Sequence, residues 1–426
     1  MKLATGVLRP CNMLSASSTQ SATTLRWPEK TTATKLSMST KSWDDSGQTL
    51  SSSAASLRDK WMEFQGIKNW EGLLDPLDDD LRDEILRYGE FVEAAYRCFD
   101  FDTTSPTYAT CTCPRALILD PCAATNKGYR VTSDLHATCG VQLPDWTERL
   151  PSWVSTQSSW IGYVAVCEDE DEIARLGRRD VVVAYRGTAT CMEWLENLRA
   201  TLTCLPDDMA PDRCRSMVQS GFLSLYTSST DRGVSLQDSV RGEIKKILHA
   251  YRGERLSITV TGHSLGAALA TLTAHDITTT FEQAPLVTVV SFGGPRVGNK
   301  SFRSQLEKSG TKVLRIVNSD DPITKVPGFV IDEEKKAKMS ENGGLKKETR
   351  LSSWVQKCVE DTQWVYAEIG KELRLSSKDC PHLCNGGVAT CHDLKTYLHL
   401  VDSFVSSNCP LRATAKRVLN KTEVLA

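Results

Sequence analysis

Five residues in the middle of the chain, Gly262-His263-Ser264-Leu265-Gly266, have the types and spacing of a nucleophile turn. A serine raised on a sharp strand-to-helix bend needs glycine two positions either side, because larger side chains would collide with the strand and the helix. The flanks fit. Ser257 to Thr261 is a short β-branched run, and Leu265, Leu269, Leu272 and Ile277 recur near helical spacing. Such a bend lifts Ser264 Oγ clear of the backbone and aims the N–H of Leu265 at negative charge developing beside it. The chemistry implied is acyl transfer through a serine ester.

That chemistry requires a base, a carboxylate to orient it and a second oxyanion donor. In the chain order Ser, acid, His, the acid belongs at the carboxyl end of a later strand, which leaves Asp320 and Asp321 after KVLRIVN (312–318). Spacing does not separate them. Of seven histidines, 136, 249 and 263 precede Ser264. His275 is eleven residues along the same helix, about 16 Å from the serine. His382, His392 and His399 remain. His392 opens HDLKTYLHLVDSF, where a loop-to-helix junction leaves a ring free to swing over Ser264, whereas His399 reads as a core residue of that helix. The second donor is Thr188, with its backbone N–H and hydroxyl, in the turn Arg186-Gly187-Thr188 that ends an earlier strand. No metal or cofactor is required.

The elements that must hold these groups alternate. Strands are predicted at 159–166, 180–186, 286–292 and 312–318, and a helix at 234–251. Residues 217–226 read as a buried strand or a helix entry, 364–375 alternates again, and 393–404 is helical. Strand and helix in alternation predict an α/β fold with a mostly parallel sheet flanked by helices. Two helices, 57–66 and 73–99, form an N-terminal extension over 56–110, ahead of a main domain at 111–410 and a tail at 411–426. Met192, Trp194, Leu195, Leu198 and Leu202 lie at helical spacing, as either a lid opening onto lipid or a core stripe. Residues 331–350, with charges of both signs and Gly343-Gly344, read as a mobile insertion.

Composition excludes other classes. With 40% hydrophobic and 24% charged residues the 426-residue chain is ordinary globular protein, and it has no apolar run long enough to span a membrane. Its first 43 residues hold fifteen Ser/Thr and six basic residues against one acid, the signature of an organelle transit peptide within 1–55. Ser/Thr richness favours the plastid. Removing that stretch takes the formal charge from −2 to −7, so nucleic acid is not an expected partner. The fifteen cysteines show no metal-ligand spacing and read as reduced, partly buried thiols.

The chain resembles the class 3 lipase family of α/β-hydrolases and, within it, the plastid-type plant phospholipase A1 enzymes. The carrying stretches are WEGLLDPLDDDLRDEILRYGEFVEAAY (70–96), YRGT (185–188), GHSLGAALA (262–270), FGGPRVGN (292–299), VNSDDPITKVPG (317–328) and CHDLKTYLHLVD (391–402). The resemblance implies Asp321 as the acid, since Asp321 and not Asp320 begins the family's D-x-[IV]-x-x-[VL]-P pattern, and His392 as the histidine. It implies Thr188 as the first oxyanion donor, beside Leu265. It further implies hydrolysis of the sn-1 ester of glycerolipids, with phosphatidylcholine and galactolipids as typical substrates and triacylglycerol for some members, at a membrane or lipid-droplet surface in the chloroplast. The charged insertion at 331–350 departs from that pattern. A catalytically silent, lipase-like interaction protein is the alternative. Such proteins lose the serine, the histidine or the oxyanion loop, and this chain keeps all three.

Overall fold

A strand that is apolar at every position must bury both faces, and the chain meets that demand with helices on each side of one sheet. The computed structural model describes residues 52–119, 128–138, 158–188, 201–210, 215–229, 233–327, 365–380, 383 and 387–404. The transit segment as far as residue 51, residues 189–200 of the lid-or-core stripe, His382, the 331–350 insertion and the 411–426 tail lie outside them. Its strands are β1 (Tyr129–Thr138), β2 (Ser158–Cys167), β3 (Arg179–Tyr185), β4 (Leu202–Cys204), β5 (Met217–Gln219), β6 (Leu256–His263), β7 (Leu286–Phe292), β8 (Lys312–Asn318) and β9 (Lys371–Leu375). Its helices are α1 (Ser52–Phe64), α2 (Asp79–Arg97), α3 (Glu170–Leu176), α4 (Ser220–Thr227), α5 (Leu236–Ala250), α6 (Leu265–Thr280), α7 (Lys300–Lys308), α8 (Val388–His392) and α9 (Leu394–Asp402).

Seven strands make the main sheet in the order β1-β2-β3-β6-β7-β8-β9, and β4 pairs with β5 in a separate ribbon. From β3 to β9 all pairings are parallel, whereas β1 and β2 run antiparallel at one edge. This is the expected α/β-hydrolase arrangement, with the serine strand β6 at its centre. Alternation sorts each strand between two cores. Val181, Val183 and Tyr185 join Leu269 and Leu272 of α6 on one side. Val182 and Ala184 join Phe91 of α2, Phe292, Ile316 and Tyr397 of α9 on the other.

Helix α6 is buried at every position from Leu265 to Ile277. Its Gly and Ala residues let it lie close against the strands. Helix α2 begins later than the predicted 73–99, because Pro76 interrupts the backbone donors and Asp78 caps the first turn by accepting from Leu81 N–H at 3.1 Å. It is tied to the sheet ionically as well as by packing. Arg87 meets Asp180 at 3.2 Å and Glu84 at 2.7 Å, while Ser257 Oγ donates to Asp180 at 2.8 Å. Each buried charge thus has opposite charge and hydrogen bonds around it.

Other predictions differ in detail. Residues 217–226 are both things at once, strand β5 followed directly by α4. Leu202 is not helical but opens β4, with its side chain buried. Strand β1 went unrecognised because YRVTSDLHAT carries polar residues on both faces of an edge strand.

Phe91 is fully buried between α2 and the sheet. Phe91→Ala is expected to cost about 3–5 kcal/mol, read as a lowered midpoint in thermal unfolding; a loss below about 1 kcal/mol would mean that α2 is not an integral layer.

Candidate active site

The turn between β6 and α6 is built by close approach. A Cβ on Gly262 would lie 2.4 Å from the backbone of Gly266, and a Cβ on Gly266 would lie 2.5 Å from the Arg186 carbonyl oxygen. Two chain segments therefore meet where neither position tolerates a side chain. Ser264 is held between them at φ 58° and ψ −123°. That conformation costs a non-glycine residue about 1–3 kcal/mol and persists only where the surroundings impose it. One such constraint is visible, since Ser264 N–H donates to Phe292 O of β7 at 3.0 Å.

Leu265 begins α6, so its N–H belongs to the first turn, which has no intrahelical acceptor. Thr188 stands just past β3, beside the same bend, and its Oγ1 is buried without a hydrogen-bond partner among the described residues. A buried hydroxyl without a partner is costly unless something arrives to use it.

The carboxyl end of β8 separates the two aspartates. Asp320 turns to the partly exposed side, where it accepts from Ser376 Oγ at 3.0 Å and meets Lys378 Nζ at 3.0 Å. Asp321 is fully buried. Its Oδ1 accepts from Ile323 N–H at 2.9 Å, and its Oδ2 lies 2.6 Å from both His392 Nδ1 and Tyr397 OH. An ionised carboxylate only accepts, so the His392 proton sits on Nδ1 and Nε2 carries the lone pair of a base. Asn318 ties the two sides together: its Nδ2 donates to Cys391 O at 2.9 Å, next to His392. His399, read from sequence as a core residue, is in fact exposed, with Nε2 at 3.4 Å from Cys380 Sγ. Its place on α9 faces away from the buried side lined by Tyr397 and Leu400.

Four contributors escaped the sequence reading: Tyr397, His263, Tyr96 and Arg186. Tyr397 OH donates to the same Asp321 oxygen that faces His392, and burial followed by the carboxylate pushes its phenol well above the usual range, so it remains a donor. Room for its ring comes from Gly293 at φ 56°, where a Cβ would lie 3.0 Å from the Tyr397 ring. His263 Nε2 donates to His392 O at 2.7 Å, so its Nδ1 is unprotonated and accepts from Tyr96 OH at 2.7 Å. Tyr96 oxygen in turn accepts from Gly187 N–H at 2.9 Å. One hydrogen-bonded chain thus joins the Gly187-Thr188 turn, α2, the serine bend and His392. Burial, reinforced by the neighbouring His392, holds His263 well below the usual histidine range, which keeps it neutral as this chain requires. Arg186 is buried beside the same turn. It donates to Trp160 O at 3.0 Å, Gly187 O at 2.6 Å and Ser159 Oγ at 2.8 Å, packs 3.4 Å over the Phe99 ring, and is drawn down to about 10 by burial. Nothing in local spacing marks these residues, because their partners lie in other segments.

Residues 182–331, from within β3 to beyond the Asp321 turn, match the family model for lipase (class 3). The chain belongs to that family and is an acylhydrolase. It is 60% identical over 367 residues to a chloroplastic phospholipase A(1) of Arabidopsis thaliana named DAD1, covering 85% of this chain and 80% of that one. It is 38% identical over 353 residues to the chloroplastic galactolipase DONGLE of the same plant, covering 80% of this chain and 69% of the other. Among solved structures, lipase II from Rhizopus niveus is similar at 19% identity and a TM-score of 0.41, over 59% of this chain and 77% of that chain.

The neutral state of His263 has a pH signature. Its folded-state affinity for a proton is below the unfolded value near 6.5, so the unfolded chain binds the extra proton first as pH falls. The contribution of His263 to stability is complete above about pH 6.5 and is lost as pH drops below it. Thermal unfolding of wild type and His263→Gln between pH 8 and 5 checks this: the gap between them should narrow with acidification, and a gap that widens would refute a neutral His263.

Proposed function

We propose that the chain is a serine acylhydrolase in which Ser264, His392 and Asp321 act as nucleophile, base and orienting acid. The observation that carries this reading is the pairing of His392 Nδ1 with Asp321 Oδ2 at 2.6 Å beside a serine held at φ 58°. His392 Nε2 takes the Ser264 proton as Oγ attacks the acyl carbonyl, and Asp321 stabilises the imidazolium that forms. Leu265 N–H and Thr188, through its N–H and its buried hydroxyl, which has no partner among the described residues, receive the oxyanion. His392 then protonates the departing glycerol oxygen, and water repeats the sequence on the acyl-enzyme.

The substrate we assign is the sn-1 ester of a glycerolipid, with phosphatidylcholine and galactolipid as head-group classes and triacylglycerol as a further candidate. Support comes from the relatives named phospholipase A(1) and galactolipase. Two exposed apolar residues favour a lipid-facing mouth. Phe101 stacks on Tyr96 at 6.2 Å, and Val388 opens the helix that ends at His392. The Ser/Thr-rich leader and the chloroplastic relatives support a plastid location, with the protein peripheral to membrane or lipid bodies. No helix among the described residues is long and apolar enough to cross a membrane.

Incubation with a mixed plastid lipid extract, with the lyso products identified by position, tests the assignment. Release from sn-1 is expected, and Ser264→Ala should abolish both turnover and labelling by a fluorophosphonate. Removal of one oxyanion donor should lower kcat on the order of 100-fold. Unlabelled wild type would instead favour the silent interaction protein.

A further inference from the structure

Three thiols converge where α2 ends, outside the groups assigned to the reaction. Cys98 caps α2 and is fully buried, whereas Cys111 and Cys113 are half-buried and within reach of solvent. Backbone pairing fixes their proximity. Phe99 and Cys111 are partners across an antiparallel bridge, and Thr112 N–H donates to Cys98 O at 2.7 Å. The Cys98 thiol donates to Ile118 O at 3.9 Å and the Cys111 thiol to Cys113 O at 3.4 Å, so neither sulfur is yet committed to the other.

We propose that these residues form a hydroperoxide-reactive site in which Cys111 is the attacking thiol, Cys98 the resolving thiol, and the product is a Cys98–Cys111 disulfide that impairs the serine site.

The thiols are unequal. The neighbouring Cys98 thiol, helped by the Cys113 backbone, lowers Cys111 from the usual thiol range, while the proximity of Cys111 and burial push Cys98 up. Cys111 is therefore the more readily ionised of the two, and it holds the half-exposed position that a peroxide can reach. The Cys111 thiolate attacks one oxygen of the hydroperoxide, the O–O bond breaks, and hydroxide or alkoxide leaves, giving Cys111 sulfenic acid. The Cys98 sulfur then displaces that hydroxyl as water, using its own thiol proton, and the S–S bond forms. Two sulfurs lose two electrons and the peroxide gains them. A dithiol reductant reverses the change.

The coupling runs through the immediate neighbours of Cys98. Two residues before it, Tyr96 OH joins Gly187 N–H to His263 Nδ1. One residue after it, the Phe99 ring underlies the Arg186 guanidinium at 3.4 Å and meets Phe101 at 4.6 Å. Cys98 Sγ now points to Ile118 O, at 3.9 Å, and bonding to Cys111 requires it to turn away from that packing. The last turn of α2 then shifts, and with it the two rings that hold the Gly187-Thr188 turn. Displacement of catalytic geometry by about 1 Å costs up to 100-fold in rate. The activity arm of this inference rests on the serine mechanism proposed above.

The full chain, treated with hydrogen peroxide and then with dithiothreitol, provides the test. Peptide mapping without reduction should find the Cys98–Cys111 link, and lipid hydrolysis should fall on the order of tenfold and recover with the dithiol. Cys111→Ser should hydrolyse lipid like the reduced wild type and resist peroxide, whereas Cys113→Ser should still form the link. Wild type that keeps Cys98 and Cys111 reduced while its other thiols oxidise would overturn the site. A formed link with unchanged hydrolysis, or equal inactivation of Cys111→Ser, would overturn the coupling. Mapping reads the thiol chemistry whether or not the protein cleaves lipid, and failure of the serine mechanism would show separately, as a reduced wild type without activity.

Discussion

The contact on which the rest depends is the one between Gly266 and the carbonyl oxygens of Tyr185 and Arg186, which a Cβ at that glycine would approach to 2.7 and 2.5 Å. With β3 and α6 this close, the chain leaving β6 has no room for a gradual turn, and Ser264 takes up a left-handed conformation that it would not choose alone. The strain is sustained by the burial of α6 along its length and by the pairing of β6 with strands on both sides. A serine held at a fixed height above the sheet is the consequence.

The two ends of the sheet handle charge differently. Near the amino ends of β3 and β6, Glu84, Arg87, Arg178 and Asp180 sit fully buried in one network, where opposite charges and the hydroxyls of Tyr88 and Ser257 compensate each other. That network anchors α2 and contributes no chemistry. At the carboxyl ends, Asp321 is buried with donors only, His392 and Tyr397 through one oxygen and Ile323 N–H through the other. A carboxylate held this way can favour an imidazolium without itself taking a proton. Neutral His263 and Tyr96 fill the space beside it, so positioning is done by groups that leave the local field to the acid and to the buried Arg186 cation.

Helix α2 therefore has two roles that its sequence does not separate. Ile85, Phe91, Val92 and Ala95 cover one face of the sheet as any amphipathic helix would. Tyr96, in its last turn, carries the hydrogen bonds that join the Gly187 turn to the serine bend. Packing of the first kind makes the bonding of the second kind reproducible, because a ring on a firmly seated helix loses little further freedom when it bonds.

Strand and helix periodicity, glycine spacing about Ser264 and the order of the elements were legible along the chain: β7 and β8 begin and end where their apolar runs do, and both glycines of the bend serve the close approach their spacing announced. Choice among equals was not legible. Strand spacing did not separate Asp320 from Asp321, which only the likeness to a family pattern singled out, and it is the direction in which the β8 turn leaves the sheet that puts one against His392 and the other against Lys378. The same holds for the exposed His399, and for Tyr96 and His263, whose bonds span 167 and 129 positions of sequence. Periodicity and turn preference act between near neighbours and so can be read residue by residue, whereas a hydrogen bond forms only within about 3 Å, a distance that folding alone imposes on residues so far apart.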